Sequence, residues 1–442
     1  MSTIGEKYKV FKPGDIKVET DGSDRLRCQF ILQHKKRQCN MTRMADEQFC
    51  AQHILLVKDS LGGRKRIPCP LDGGHSIWED QLKNHIEKCR AKETMPTDPW
   101  YKLDMNIFSC GGEQEDDNKR CVPDFAKWIS ILTRLFHDQV AKVPVKRDIR
   151  HHRGLEDRLV ELENQKHALQ QSSLIGHMDD NHLLEPEHVI VEFGCGRAEL
   201  SRYIFRSRML KQMESKKQLI SQRYLLIDRA GPRMKLDSKI AKDYHELILS
   251  MPDSYLPGEA SPVVERVKID IKDLNIDRAP LIEANNISAV SKHLCGCATD
   301  LTLACICNSQ LVKTGSTRLK GIVIALCCRH VCSYATYPIM GREWLKYHGI
   351  DAEGFRTIAR MTSWAVCGSR KGDSNEIGCH PSGLDEHERQ RIGFMARRVI
   401  DHGRVLSLQD LGFDARIVEY IDKDVSLENH CLVVVGRPSP HA

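Results

Sequence analysis

The chain has 442 residues and a net charge of +6, so it is long enough for two or three domains and is mildly basic. Its N-terminus lacks a signal-peptide pattern, and no uninterrupted apolar run approaches the ~20 residues of a membrane span. We therefore expect an intracellular protein of the cytoplasm, the nucleus or both, without a membrane partner. The 18 cysteines favour reduced thiols and metal ligands over a disulfide framework, because many lie beside histidines or within apolar strands.

The first predicted module is a zinc knuckle over residues 20–60. Its ligands would be three cysteines and a histidine, namely Cys28, Cys39, Cys50 and His53. Three thiolates and an imidazole suit a closed tetrahedral Zn²⁺ site, which the short Cys-x2-His pair completes. The wide gaps between the cysteines are less diagnostic than two close pairs, so scattered buried thiols remain the alternative.

A second zinc module is predicted over residues 64–92. Two cysteines and two histidines would bind the ion, namely Cys69, His75, His85 and Cys89. The last two ligands lie four residues apart in a helical pattern, which places them on one face. The spacing resembles the CHHC finger of RNA-associated proteins. Both sites are expected to be structural, since four protein ligands leave no open position for a reacting water.

Two connecting regions are predicted between the zinc modules and the large C-terminal domain. Residues 93–123 turn to proline, glycine and acidic side chains and are predicted to be a linker. Residues 124–185 are predicted to be helical, because apolar residues recur at helical spacing from Phe125 to Phe136.

Residues 186–442 show alternating strand and helix patterns, which predict an α/β domain with a largely parallel sheet. The first strand, Val189 to Phe193, leads into a Gly-x-Gly turn at Gly194 and Gly196, and a helix is expected from Ala198. Glycine permits positive φ and close approach to the backbone. Taken alone, this turn is equally compatible with an ordinary strand-to-helix connection. Two apolar segments near the C-terminus predict an antiparallel hairpin at the edge of the sheet.

Acidic residues stand at the ends of three successive predicted strands. Asp228 is positioned to accept hydrogen bonds from ribose hydroxyls, and Asp270 with Ile271 to meet an adenine. Singly, either aspartate is also explained as a helix cap. Together with Glu192 and the glycine turn, they resemble the class I (Rossmann-like) S-adenosylmethionine-dependent methyltransferases. A dehydrogenase is less favoured, because the third glycine of the dinucleotide fingerprint is absent.

Two unusual segments follow the fourth and fifth predicted strands, at residues 291–300 and 325–334. With the two zinc modules, they resemble the eukaryotic tRNA 2′-O-methyltransferases that modify the fourth nucleotide of the acceptor stem. The likeness covers nearly the whole chain. It implies S-adenosylmethionine and two structural zinc ions as cofactors, tRNA as the partner, no DNA partner, and a ribose hydroxyl as the methyl acceptor.

The same segments hold the candidate catalytic residues. A ribose hydroxyl is a poor nucleophile near neutral pH, so it needs a base or a cation that stabilises the forming alkoxide. Lys292 and His330 are the first candidates, and His293 and Asp300 the second, although Asp300 is also explained as a helix cap and His330 as a core histidine. The neighbouring cysteines are interpreted as small buried thiols rather than as a third metal site or a nucleophile.

Two other classes of function remain open at this point. One is a zinc-finger RNA-binding protein whose methyltransferase fold is inactive. The other is a methyltransferase that acts on protein or small molecules, although the chain lacks an Asn-Pro-Pro-Tyr-like amine-binding motif after the fourth strand.

Overall fold

The structure of the protein is a computed structural model. It describes residues 26–32, 37–43, 48–50, 53–54, 66–89, 97–107, 123–215, 218–231, 235–249, 261–313, 316–366 and 380–436. The chain divides into two compact units, Met1–Thr97 and Asp98–Ala442. Within the described segments, no helix has the length and apolar character that crossing a membrane requires.

The described residues of the first unit form two small antiparallel sheets and one short helix. The strands pair as β1 (Ile31–Leu32) with β2 (Arg37–Gln38), and as β3 (Arg66–Cys69) with β4 (Asp72–Trp78), ahead of α1 (Leu82–Lys88). The buried apolar cluster around β1 consists of three cysteines, Phe49 and Ile54. A core this small does not stabilise a fold by itself, so such modules rely on a metal or another cross-link.

The second unit is built on one eight-stranded sheet. Its strands in chain order are β5 (Lys146–Arg147), β6 (Val189–Phe193), β7 (Arg223–Asp228), β8 (Val263–Lys268), β9 (Ile287–Leu294), β10 (Leu319–Leu326), β11 (Asp414–Glu419) and β12 (His430–Val435). They lie in the order β5-β11-β12-β10-β9-β6-β7-β8. Only β12 runs antiparallel to its neighbours. The predicted α/β fold and the C-terminal hairpin are therefore confirmed, except that β5 adds a further strand beyond β11.

Helices cover both faces of this sheet. They are α2 (Phe125–Leu135), α3 (Glu156–Glu161), α4 (Lys166–Asp180), α5 (Glu199–Ser215), α6 (Asp237–Leu249), α7 (Ala298–Cys307), α8 (Ile339–Tyr347), α9 (Ala352–Met361) and α10 (Glu386–Asp410). Alternate residues of each strand point to opposite faces. Ile190 and Leu226 pack with α4 and α5, whereas Val191 and Leu225 pack on the side of α7. The central strands are continuous apolar runs because both of their faces are buried.

The helical residues 124–185 belong to this same unit rather than forming a separate body. Trp128 of α2 is buried against α9, where a Cβ added to Gly354 would lie 2.4 Å from the indole ring. Leu174 and Ile175 of α4 are buried in the layer beside the sheet. The predicted helices are present, and their apolar faces are part of the core of the large domain.

The predicted linker also has a packed portion. Asn106 is buried, and its amide donates to the carbonyls of Ile271 at 2.7 Å and Leu274 at 2.8 Å. The backbone N–H of Asp104 donates to the Asp273 carboxylate at 2.7 Å. Residues 104–106 are therefore fixed to the turn that follows β8, a contact that composition alone does not predict.

A buried ion network joins α7, α10 and the turn after β10. Asp300 and Asp401 are 0% exposed, and both pair with Arg404, at 2.8 Å and 3.1 Å respectively. Arg329 binds the other side of Asp401 at 2.8 Å. Burial by itself raises the pKa of Asp401, but the charges of Arg329 and Arg404, with His430 Nδ1 3.6 Å away, hold it well below its usual range. The aspartate is therefore charged, with positive groups on two sides.

This network predicts a large loss of stability for Asp401→Asn. The amide keeps the shape of the side chain but leaves two buried guanidinium groups without their shared counter-charge. Breaking a buried pair in this way costs about 3–5 kcal/mol. Urea unfolding followed by circular dichroism measures the change. Asp424→Asn, on an exposed position before β12, is the matched control and should shift stability by less than about 0.5 kcal/mol. Equal stability of the two variants would contradict the role given to the network.

Candidate active site and metal-binding modules

The predicted glycine turn lies at the carboxyl end of β6, between that strand and α5. Gly194, Gly196 and Ala198 all have left-handed backbone, with φ of 63°, 47° and 63°. A Cβ on Gly194 would lie 2.9 Å from Leu294, whereas a Cβ on Gly196 would meet nothing within 4 Å. A side chain at Gly194 would displace the end of Leu294 as well as strain the left-handed backbone, and Gly196 leaves open space beside its backbone. Because Ala198 is left-handed, α5 begins one residue later than predicted, at Glu199.

Asp228 closes the turn from the end of β7. Its carboxylate accepts the backbone N–H of Gly196 at 2.8 Å and that of Ala230 at 2.8 Å. Cys195 donates its N–H to the Ile227 carbonyl at 3.0 Å. The structure therefore brings together the two motifs that the sequence singled out. Each carboxylate oxygen retains a lone pair for a further donor, such as a hydroxyl.

Glu192 lies beneath the turn and not at its open side. It is 3% exposed, and its carboxylate accepts the backbone N–H of Ser201 at 3.1 Å and a second bond from the Ser201 hydroxyl. Burial raises the pKa of Glu192 to about 7, against the lowering effect of the Ser201 bonds. In this arrangement Glu192 fixes the first turn of α5, and it acts on the glycine turn through that helix.

Asp270 and Ile271 follow β8 at the same edge of the sheet. The Asp270 side chain accepts the N–H of Lys272 at 3.1 Å and caps a 3₁₀ turn. Ile271 is buried in the core cluster on one face of the sheet. The helix-cap explanation that the sequence left open for Asp270 is thus what the structure shows, and contacts of these two residues with a ligand stay a prediction.

Arg266 of β8 is a part of the site that sequence reasoning missed. Its guanidinium donates to the Gly196 carbonyl and the Cys195 sulfur, both at 3.0 Å. Its other nitrogens bind both oxygens of Asp237 at 2.7 Å. The arginine therefore holds the turn opposite Asp228. In the sequence it sits among alternating charged and apolar residues, a pattern that favours a solvent-facing side chain.

Lys292 lies near the carboxyl end of β9 and is paired with an unexpected partner. Its Nζ is 3.0 Å from Nδ1 of His167, at the start of α4. Burial lowers the pKa of Lys292 to about 8, although the charges of Glu199 and Glu192 oppose the shift. The charge of Lys292, followed by burial, lowers the pKa of His167 as well. The histidine is therefore neutral at pH 7 and accepts the hydrogen bond.

The other predicted catalytic residues are placed differently. His330 is exposed on the 3₁₀ turn after β10. Asp300 has no exposed surface, and both of its oxygens accept hydrogen bonds from Arg404. The backbone of His293 is part of β9, while its side chain lies outside the described residues. Among the three candidates whose side chains the structure describes, Lys292 is the one with a hydrogen-bond partner suited to proton transfer.

The first zinc module has the geometry that its four ligands require. The ligand atoms of Cys28, Cys39, Cys50 and His53 all lie within 4.8 Å of one another. Nδ1 of His53 is 3.4 Å from the sulfurs of both Cys28 and Cys50. Tetrahedral zinc bonds place neighbouring nitrogen and sulfur ligands about 3.5 Å apart. The four side chains therefore fit one zinc ion.

The second module shows three of its four predicted ligands. The Cys69 sulfur is 3.2 Å from Nε2 of His85 and 3.7 Å from the Cys89 sulfur. Two thiolates on tetrahedral zinc lie about 3.8 Å apart. His75 belongs to β4, but its side chain lies outside the described residues, so its ligation stays a prediction.

Comparison with known proteins gives three matches along the chain. Residues 169–435 match the family described as Methyltransferase TRM13. Residues 26–54 match the CCCH zinc finger in TRM13 protein, and residues 66–90 match the U11-48K-like CHHC zinc finger. The two N-terminal modules are therefore zinc fingers, as their ligand spacing predicts.

Whole-chain relatives agree with these matches. A protein of Yarrowia lipolytica named tRNA:m(4)X modification enzyme TRM13 is 45% identical, over 92% of this chain and 90% of its own. The protein of the same name from Saccharomyces cerevisiae is 34% identical, over 94% and 97%. Among solved structures, a plantazolicin methyltransferase is 8% identical and covers 71% of this chain and 96% of its own, with a TM-score of 0.25. On the family match and these two relatives, the chain belongs to the TRM13 methyltransferase family.

Proposed function

We propose that this protein transfers the methyl group of S-adenosylmethionine to a ribose 2′-hydroxyl of tRNA, at the fourth nucleotide of the acceptor stem. Membership of the methyltransferase family supports group transfer, and the relatives' name, tRNA:m(4)X modification enzyme, supports a tRNA substrate. The fourth nucleotide is what the family resemblance implies. The choice of a hydroxyl acceptor is carried by one observation. A half-buried lysine whose pKa is lowered to about 8 lies 3.0 Å from a neutral histidine, on the strand next to β6.

The residues around the glycine turn fit a nucleoside cofactor. The open space beside Gly196 admits a ligand against bare backbone, and Asp228 offers free lone pairs to ribose hydroxyls. Asp270 lies at the next strand end, on the side proposed for the adenine. Glu192 and Arg266 keep the turn in shape from below and from β8. When bound, the cofactor supplies a methyl group on a sulfonium, a leaving group already activated by its positive charge.

Lys292 is proposed to take the proton from the ribose hydroxyl. A general base is most effective when its pKa lies near the working pH. An ordinary lysine is almost entirely protonated there, whereas burial brings Lys292 to about 8. His167 accepts one hydrogen bond from the amine at 3.0 Å and so orients the nitrogen. After proton transfer, the ammonium group stands beside the new ether oxygen.

Cofactor affinity tests the placement of the nucleoside. Asp228→Ala removes a charged acceptor of hydroxyl hydrogen bonds, each of which contributes about 1.5–3 kcal/mol. We expect the Kd for S-adenosylhomocysteine, measured by titration calorimetry, to rise by about 10-fold to 150-fold. Asp157→Ala, on the exposed side of α3, should leave it unchanged. Wild-type protein that binds no cofactor would instead support an inactive RNA-binding fold.

The chemical position of the methyl group is tested on tRNA with radiolabelled cofactor. Alkaline cleavage of RNA requires a free 2′-hydroxyl, so a 2′-O-methylated nucleotide stays joined to its 3′ neighbour. We expect label in an alkali-resistant dinucleotide that contains the fourth nucleotide. Label in ordinary mononucleotides would show base methylation, and label on protein only would reject the RNA substrate.

The pH dependence of single-turnover transfer tests Lys292. The neutral lysine is the active form, so the rate should rise about tenfold per pH unit below pH 8 and level off above it. Lys292→Arg stays protonated at every accessible pH and should lower the rate by about 10²-fold to 10⁴-fold, with unchanged cofactor affinity. His330→Ala is the matched variant on the neighbouring strand end. Loss of transfer in His330→Ala alone would make that histidine the base.

A further inference from the structure

Three cysteines converge where β9 and β10 end. The sulfurs of Cys295, Cys327 and Cys328 lie within 4.8 Å of one another, and those of Cys295 and Cys327 are 3.5 Å apart. The first follows β9, and the other two follow β10, so the group bridges two neighbouring parallel strands. All three are free thiols. They lie in the second unit, and none of them is a ligand of either zinc finger.

The backbone at Cys328 is bent in a way that brings the two adjacent cysteines together. In extended chain, successive side chains point to opposite faces. Cys328 has φ 43° and ψ 44°, a left-handed conformation that is costly for a residue with a Cβ. Such strain persists only where surrounding contacts maintain it, and it concentrates at functional sites.

Those contacts are present around Cys328. Its backbone N–H donates to one oxygen of Glu428 at 3.2 Å. The other oxygen of Glu428 binds Arg329 and Arg397, both at 2.6 Å. Arg329 in turn belongs to the buried network around Asp401. The left-handed residue is therefore held by a glutamate whose own position is fixed by two arginines.

The separation of the sulfurs is that of metal ligands. Two thiolates on a tetrahedral zinc ion lie about 3.8 Å apart. The Cys69 and Cys89 sulfurs of the CHHC finger lie 3.7 Å apart, close to the 3.5 Å between Cys295 and Cys327. A disulfide joins only two sulfurs and so does not account for the convergence of three. Cys295 is exposed, which gives an ion a path into the group.

We propose that Cys295, Cys327 and Cys328 bind a third zinc ion through three thiolates. In the described part of the chain no other histidine, cysteine or acidic side chain joins the group, which leaves the fourth position to a ligand such as water. This ion would join the ends of β9 and β10. Its ligand Cys295 lies three residues after Lys292. This proposal is the alternative to the interpretation of these cysteines as separate buried thiols. The proposed zinc site does not depend on which atom of the substrate accepts the methyl group.

Zinc content of the purified full-length protein tests the proposal. We expect three zinc ions per chain by plasma mass spectrometry, two of them in the fingers. Cys295→Ser and Cys328→Ser should each lower the count by one. Cys297→Ser is the matched control, because Cys297 lies two residues from Cys295 and outside the group; its count should stay at three. A wild-type count of two, or equal counts in all four proteins, would overturn the proposal.

Cobalt substitution provides a second readout that does not depend on the zinc count of a variant. The protein is stripped of zinc and refilled with Co²⁺, whose thiolate complexes absorb in the near ultraviolet. Subtracting the spectrum of Cys295→Ser from that of Cys297→Ser should leave the bands of one tetrahedral, thiolate-rich site. Identical spectra of the two variants, with circular dichroism matching the wild type, would show that the three cysteines bind no ion.

Discussion

The hydrogen bond from the Gly196 backbone to Asp228 is the contact on which the candidate site depends. It joins the turn after β6 to the end of β7, and Arg266 holds the same turn from β8 through the Gly196 carbonyl. The turn contains three left-handed residues, one of them an alanine. Such backbone relaxes unless its surroundings determine it. Charged groups on neighbouring strands provide that support and leave the space beside Gly196 open.

Burial dominates the electrostatics beneath this turn. Glu192 and Lys292 carry opposite charges, yet both have pKa values displaced toward the neutral form, to about 7 and about 8. An attraction between the two charges would move both values the other way. The loss of hydration therefore outweighs the attraction. Because burial displaces Glu192 toward its neutral form, it is also a weaker counter-charge for Lys292. Burial therefore moves the pKa of Lys292 toward neutral pH despite the two glutamates near it.

The sequence predicted the parts of the protein that are encoded locally. The strand before the glycine turn, Asp228 and the first finger's four ligands each depend on a short pattern of residue types. The contacts that it missed join residues far apart in the chain. His167 meets Lys292 across 125 positions, and Arg404 meets Asp300 across 104. A two-residue strand such as β5 has no periodicity of its own, and only its pairing with β11 defines it.

Asp300 shows why a motif residue is not always a reacting one. Asp300 lies at the start of α7, in the segment that follows the fourth predicted strand. The sequence alone therefore suggests a catalytic role for it. In the fold, both of its oxygens are taken up by Arg404, which also binds Asp401, and Asp401 binds Arg329 in the turn that carries His330. A fully buried carboxylate with a bidentate partner has no path to a proton on a bound substrate. Through Arg404 it fixes α7 to α10, and Asp401 fixes α10 to the turn after β10. The charges of this network are therefore buried and paired, whereas burial lowers the pKa of Lys292 toward neutral pH.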